Sequence, residues 1–170
     1  MIIRPATVDD IAAIHEIEVE IEGQSDAASQ ETLIARLRLF PYGFNVASEG
    51  DRVVGYLESL RWDGFNFAQY GELDFQKQHN PDGIELYIHY LARTRRMQSS
   101  GIGSSLVRNS IGYAQQENLV GITLVAGDWD AHAGIPLSTF YEHLGFSVVK
   151  ELPEWLPGHT GTLMRFDTSK

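Results

Sequence analysis

The chain has no cysteine, which removes disulfides, thiolate nucleophiles and cysteine-ligated metal sites together. Any nucleophile must therefore come from a substrate, a hydroxyl, an amine or a carboxylate. Basic residues are scarce: 13 Lys and Arg stand against 23 Asp and Glu, a formal net charge of -10. A nucleic-acid backbone needs a basic face, so this balance argues against nucleic acid and suits a cationic partner, while also serving plain solubility. No apolar run reaches membrane-spanning length and no cationic, apolar leader precedes the first strand-like segment, so no membrane contact and a cytoplasmic location are expected. At 170 residues with 43% apolar content, the chain suits one core and a single domain, 1–170. It carries no internal repeat, low-complexity tract or linker.

What is present centres on the segment from Glu85 to Leu106. An apolar strand, Leu86 to Ala92, leads through a polar turn into Gln98-Ser99-Ser100-Gly101-Ile102-Gly103 and then a helix. Glycines let a backbone approach a ligand closely, and the first amides of a helix have no intrahelical partner. With the positive end of the helix dipole added, this turn is a seat for phosphate or pyrophosphate, and Ser99, Ser100 and Ser104 supply further donors. Ile102, Leu106, Val107, Ile111 and Ala114 form the apolar stripe of the helix. Two better-known phosphate loops are excluded. A dinucleotide fingerprint needs a third glycine where Leu106 stands, and a Walker loop needs Gly-Lys-Ser/Thr.

Before this segment, Thr7 precedes an acidic first turn, and Ile11, Ile14, Ile17 and Ile21 recur at helical spacing over about 8–22. A second helical pattern runs from Thr32 to Leu39 and stops near Pro41-Tyr42-Gly43. Glu16, Glu18, Glu20 and Glu22 read as a solvated helix face or as a wall for a cationic substrate. Residues 44–48 and 52–60 are expected to pair as an antiparallel hairpin. From Trp62 to Gly83 the sequence reads as one long aromatic-bearing loop, a substrate lid or a packed excursion. After the central helix come a strand at 121–126, a loop at 127–134 and a helix that Pro136 opens and that carries Tyr141. Strands at 146–150 and 162–166 flank a loop containing Pro153, Trp155, Pro157 and Gly158. Strand alternation puts Glu85, Tyr87 and His89 on one face of the central strand, with Leu86, Ile88 and Tyr90 on the other. His132 and His143 lie near Asp128, Asp130 and Glu142, but without a metal-ligand spacing, so no metal is expected.

Gln98, Gly101 and Gly103 form a Q-x-x-G-x-G pattern after a strand, and Phe140-Tyr141 is followed by Gly145-Phe146. In this order, and with the opening Ile2-Ile3-Arg4-Pro5-Ala6-Thr7, the chain resembles the GNAT superfamily of CoA-dependent N-acyltransferases over nearly its whole length. The resemblance implies an α/β fold: a mixed, mostly antiparallel sheet of about seven strands flanked by about four helices. It implies acetyl-CoA as co-substrate, held by the backbone of Leu91, Ala92 and Arg93 and by the turn residues Gln98, Ser99, Ser100, Gly101, Ile102, Gly103 and Ser104. Tyr141 stands where the family presents a phenol to the leaving thiolate, and His89 or Glu85 stands where it carries a base. An imidazole, with a reference pKa of about 6.5, is the better base at neutral pH. The sequence departs from the family at Gly134, where an Asn is frequent, and at Arg93, where an apolar residue is usual. The implied acceptor is a small cationic amine; a protein N-terminus or lysine, or a catalytically idle acyl-CoA sensor, are the alternatives. A homodimer also fits, with the Trp62–Gly83 segment or the C-terminal strands as interface.

Overall fold

The computed structural model describes residues 1–64, 74–97, 101–127, 136–156 and 158–169. They fall into two compact units, Met1–Leu60 with His89–Ser110 and Arg61–Ile88 with Ile111–Lys170. The first holds β1 (Ile2–Pro5), α1 (Ile11–Glu22), α2 (Gln30–Leu39), β2 (Phe44–Glu49) and most of β3 (Arg52–Trp62). It also takes the second half of β4 (Glu85–Arg93) and the start of α4 (Ile102–Gln116). The other unit holds α3 (Phe75–Gln78), β5 (Gly121–Gly127), α5 (Leu137–Glu142), β6 (Ser147–Leu156) and β7 (His159–Asp167). The strand order is β1-β2-β3-β4-β5-β7-β6. Pairing is parallel between β4 and β5 and antiparallel for β1–β2, β2–β3, β5–β7 and β6–β7, the expected mixed sheet.

In the first unit, the isoleucine spacing of α1 buries Ile11, Ile14 and Ile17 with Leu33 and Leu37 of α2 against Phe44, Val46 and Tyr56. The start of α1 is fixed by Asp10, whose carboxylate accepts from the Thr7 N–H at 2.8 Å and the Thr7 hydroxyl at 2.9 Å. Arg4 grips the same carboxylate with two bonds, of 2.7 and 2.8 Å. The Arg4 hydrogen bond, helped by Thr7 and opposed by burial, lowers the Asp10 pKa to about 2. A depressed folded-state pKa gives stability that is present above the unfolded value, about 3.8, and lost as pH falls toward 2. Asp10→Asn is therefore expected to melt below the wild type at pH 5, with the gap closing by pH 2. A gap independent of pH would remove the ionised Asp10 from this role.

In the second unit two expectations change. The segment read as one loop contains α3, because Asp74 accepts from the N–H groups of Gln76 and Lys77 and caps a turn of helix. Residues 65–73 of that segment lie outside the described residues. The stretch read as a loop around Pro153 is instead the continuation of β6, which runs to Leu156. β6 is the last strand of the sheet, and its register with β7 slips between Leu152 and Leu156. A proline is tolerated there because an edge strand and an irregular pairing leave its missing N–H unneeded.

Candidate active site

β3 runs regularly against β2 through Tyr56 and Glu58, paired with Val46 and Phe44, so these two side chains share one face. From β4, His89 Nδ1 lies 2.6 Å from Glu58 Oε1, while the ring of the next residue, Tyr90, stacks on Tyr56 with centroids 5.7 Å apart. Regular alternation cannot put adjacent residues on one face. β4 therefore departs from the expected period of two at His89–Tyr90, as at a bulge. The β4–β5 ladder covers Glu85–Ile88 against Gly121–Leu124, and β4 runs on to Arg93 beyond its last pair.

Glu58 is a site residue that the sequence reading missed. It is buried, with its side chain 1% exposed, and Oε1 also accepts from the Arg36 guanidinium at 2.8 Å. Burial works to raise its pKa, but the hydrogen bond and charge of His89, together with Arg36, outweigh it and hold the carboxyl below the ordinary glutamate value. An ionised carboxylate against Nδ1 makes that nitrogen the donor, which fixes the tautomer and gives Nε2 the lone pair. Beside this pair, Tyr56 donates to the buried Glu18 at 2.5 Å, and Tyr90 donates to Glu22. Burial first, then the charges of Glu58 and Glu18, push the Tyr56 phenol well above its ordinary range, so it stays a donor. The α1 carboxylates are thus not a uniformly solvated face: Glu18 points inward and also accepts from the Ala28 N–H at 2.6 Å.

The turn expected to bind an anion is described only from Gly101 onward. Gly101 has φ +75°, a left-handed conformation that favours glycine, directly before α4. Ser105 N–H donates to Gly101 O at 3.0 Å, the first bond of α4 among the described residues. Ile102, Leu106, Val107 and Ala114 are buried, as the stripe requires. Gly55 of β3 lies against Ile102, the first residue of α4. A Cβ there would come 2.7 Å from the Ile102 side chain and 2.9 Å from the Ala92 carbonyl, so a side chain would displace the start of α4. Gln98, Ser99 and Ser100 lie outside the described residues, as do Gly134 and the rest of 128–135. A further signal was present in the sequence: residues 86–116 contain no Asp or Glu but four arginines, 93, 95, 96 and 108. In so acidic a chain, that segment suits a polyanion.

Glu85 has a different setting from His89. Its buried carboxylate is hydrogen-bonded and ion-paired to Arg165 of β7, which also donates to Asp167 at 2.8 Å. Tyr141 is buried on α5, its ring edge-on to Phe140 at 4.9 Å and to Phe146 at 5.6 Å. Gly145, with φ +93°, turns the chain so that the Phe146 N–H reaches the Tyr141 carbonyl at 3.1 Å. This is the physical content of the Tyr-to-Gly-Phe spacing. Leu91 and Arg93 are half-buried and Ala92 is buried on β4. Among the described residues no helix is long and apolar enough to cross a membrane.

Solved structures with this fold include proteins described as GNAT or GNAT-like. The loading GNATL domain of CurA from Lyngbya majuscula superposes with a TM-score of 0.80 at 17% identity, over 99% of this chain and 98% of that one. GphF, a GNAT-like decarboxylase solved with isobutyryl-CoA, gives 0.78 at 19%, over 99% and 100%. A ribosomal-protein alanine N-acetyltransferase from Escherichia coli gives 0.70 at 14%, over 99% and 94%. At these identities the likeness establishes the fold. No curated protein matches the chain significantly in sequence. The family model of the acetyltransferase (GNAT) family matches residues 11–146, and the chain belongs to that family, whose members are acyltransferases that use acetyl-CoA.

Proposed function

We propose that the chain is a single-domain N-acetyltransferase that moves the acetyl group of acetyl-CoA to a primary amine of a small, cationic acceptor by direct attack. The observation that carries this reading is the Glu58–His89 pair at 2.6 Å, with buried Glu18 and exposed Glu22 on α1, in a chain without cysteine. An alkylamine with a pKa near 10.4 arrives about one part in a thousand neutral at pH 7, so it needs a base. His89 Nε2 takes the ammonium proton, held in the right tautomer by Glu58; the freed nitrogen lone pair attacks the thioester carbon. The C–N bond forms, the C–S bond breaks, Tyr141 protonates the departing thiolate, and the second proton of the attacking nitrogen leaves for solvent, from which the phenolate is reprotonated. The amides of 98–104 and the backbone of Leu91, Ala92 and Arg93 bind the pyrophosphate and pantetheine of the co-substrate. Glu85, already engaged by Arg165, serves the sheet rather than the proton transfer. A homodimer, on family resemblance, and the cytoplasmic residence expected from the sequence complete the reading.

A decarboxylase reading, suggested by the likeness to GphF, calls for a substrate carboxylate, which Glu18, Glu22 and Glu58 would repel. Thiol release from acetyl-CoA, followed with a thiol reagent across polyamines, aminoglycosides, amino acids and peptides, tests the proposal without background from the protein. Release that depends on one amine class supports it. Coenzyme binding with silence across the panel would overturn it in favour of a sensor. Tyr141→Phe is expected to lower kcat about 10- to 100-fold when chemistry limits the rate, since positioned acid catalysis is worth about 10²–10⁴ and water can partly substitute. An unchanged kcat under those conditions would remove Tyr141 as the acid.

A further inference from the structure

Only one oxygen of the Glu58 carboxylate is engaged. Oε1 accepts from both Arg36 and His89, whereas Oε2 is buried with no hydrogen-bond partner among the described residues. A buried, ionised oxygen without a donor is costly, and a ligand that supplied the missing hydrogen bond would be favoured there. Two residues along the same face of β3, about 7 Å by the strand repeat, Tyr56 begins a second polar group. It donates to Glu18, stacks on Tyr90, and Tyr90 in turn donates to Glu22. Glu18 and Glu22 stand one helical turn apart on α1, so both project from the same side of that helix. Glu22 is exposed while Glu18 and Glu58 are buried, which orders the carboxylates from a rim to an interior. Among the described residues, Arg36 pairs with Glu58, and Glu18 and Glu22 have no ion pair. Three carboxylates against that one guanidinium leave two formal negative charges in excess, the imidazole left out of the count.

We propose that this face of the first unit binds an acceptor with at least two positive charges, a linear diamine or polyamine. Its reacting ammonium donates to Glu58 Oε2, and a second ammonium rests against Glu22 beside Tyr90. The inference rests on the N-acetyltransferase reading and names its acceptor. It explains why the wall is acidic at two levels rather than at the base alone, and why tyrosines rather than cations hold Glu18 and Glu22. A phenol satisfies a carboxylate without cancelling its charge.

Calorimetric titration of the CoA-saturated protein with 1,4-diaminobutane, spermidine and n-butylamine tests this apart from turnover. The diamine and spermidine are expected to bind about tenfold or more tightly than the monoamine. Exposed carboxylate pairs contribute modestly, so Glu22→Gln should shrink that preference about fivefold, and 0.5 M salt should shrink it too. Glu58→Gln, if it folds, should weaken all three amines. Equal binding of diamine and monoamine by the wild type would overturn the proposal, as would a preference that Glu22→Gln leaves intact. Tight diamine binding without acetyl transfer would sink the transferase reading while sparing this site; transfer to monoamines and diamines alike would do the reverse.

Discussion

Replacing His89 with alanine is expected to lower kcat by about 10²–10³, within the range of positioned general bases, and to flatten the acidic limb of the pH–rate profile. The sign follows from its role. A base works in its unprotonated form, so the wild-type rate falls as pH drops and the imidazole charges; without the imidazole that limb has no source. Glu58→Gln gives the complementary result. It keeps the shape but removes the charge that makes Nδ1 a donor, so kcat should fall while the limb, which belongs to the imidazole, remains. If His89→Ala retains both rate and limb with a good acceptor, proton removal passes through another group or a water chain, and the Glu58–His89 contact is structural.

Arg165→Met is expected to lower unfolding free energy by about 3 kcal/mol, because it strands the Glu85 carboxylate in the sheet without its cation. The figure sits at the low end for a broken buried pair, since the Arg165 side chain is 31% exposed and that of Glu85 only 7%. Denaturant midpoints measure it. Adding Glu85→Leu to Arg165→Met should recover most of the loss, because removing both partners replaces a stranded charge with apolar packing. An Arg165→Met variant as stable as the wild type would show that the pair contributes nothing. Glu85→Gln adds a functional check: it should leave the acidic limb in place. A lost limb would make Glu85 the base despite its ion pair.

Local pattern made much of the architecture legible. Isoleucines three apart became α1, the glycine-marked turn at 49–51 became the β2–β3 hairpin, and Gly101 took the left-handed conformation its place before α4 requires. The C-terminal hairpin was read too short. Pro153 has a breaker's chemistry, and only its place on an edge strand with slipped register makes it tolerable there. The short helix α3 was missed because its cap, Asp74, lies among irregular aromatic sequence that shows no helical period.

The sequence by itself determined the strand–turn–helix that suits a phosphate, the Tyr141-to-Phe146 segment and the excess of acid. Each of these is written in neighbouring residues, through glycine conformation, helix spacing and composition. The tertiary structure decided what the charged residues do. Glu58 lies 31 positions from His89, and Glu85 lies 80 positions from Arg165. Alternation along β4 cannot report a partner on another strand, nor foresee that the strand breaks its own period at His89–Tyr90. Burial also divided residues that look alike in sequence. Glu18 and Glu22 differ by one helical turn, yet one is enclosed against Tyr56 and the other is exposed beside Tyr90, because α1 lies on the sheet along one side only.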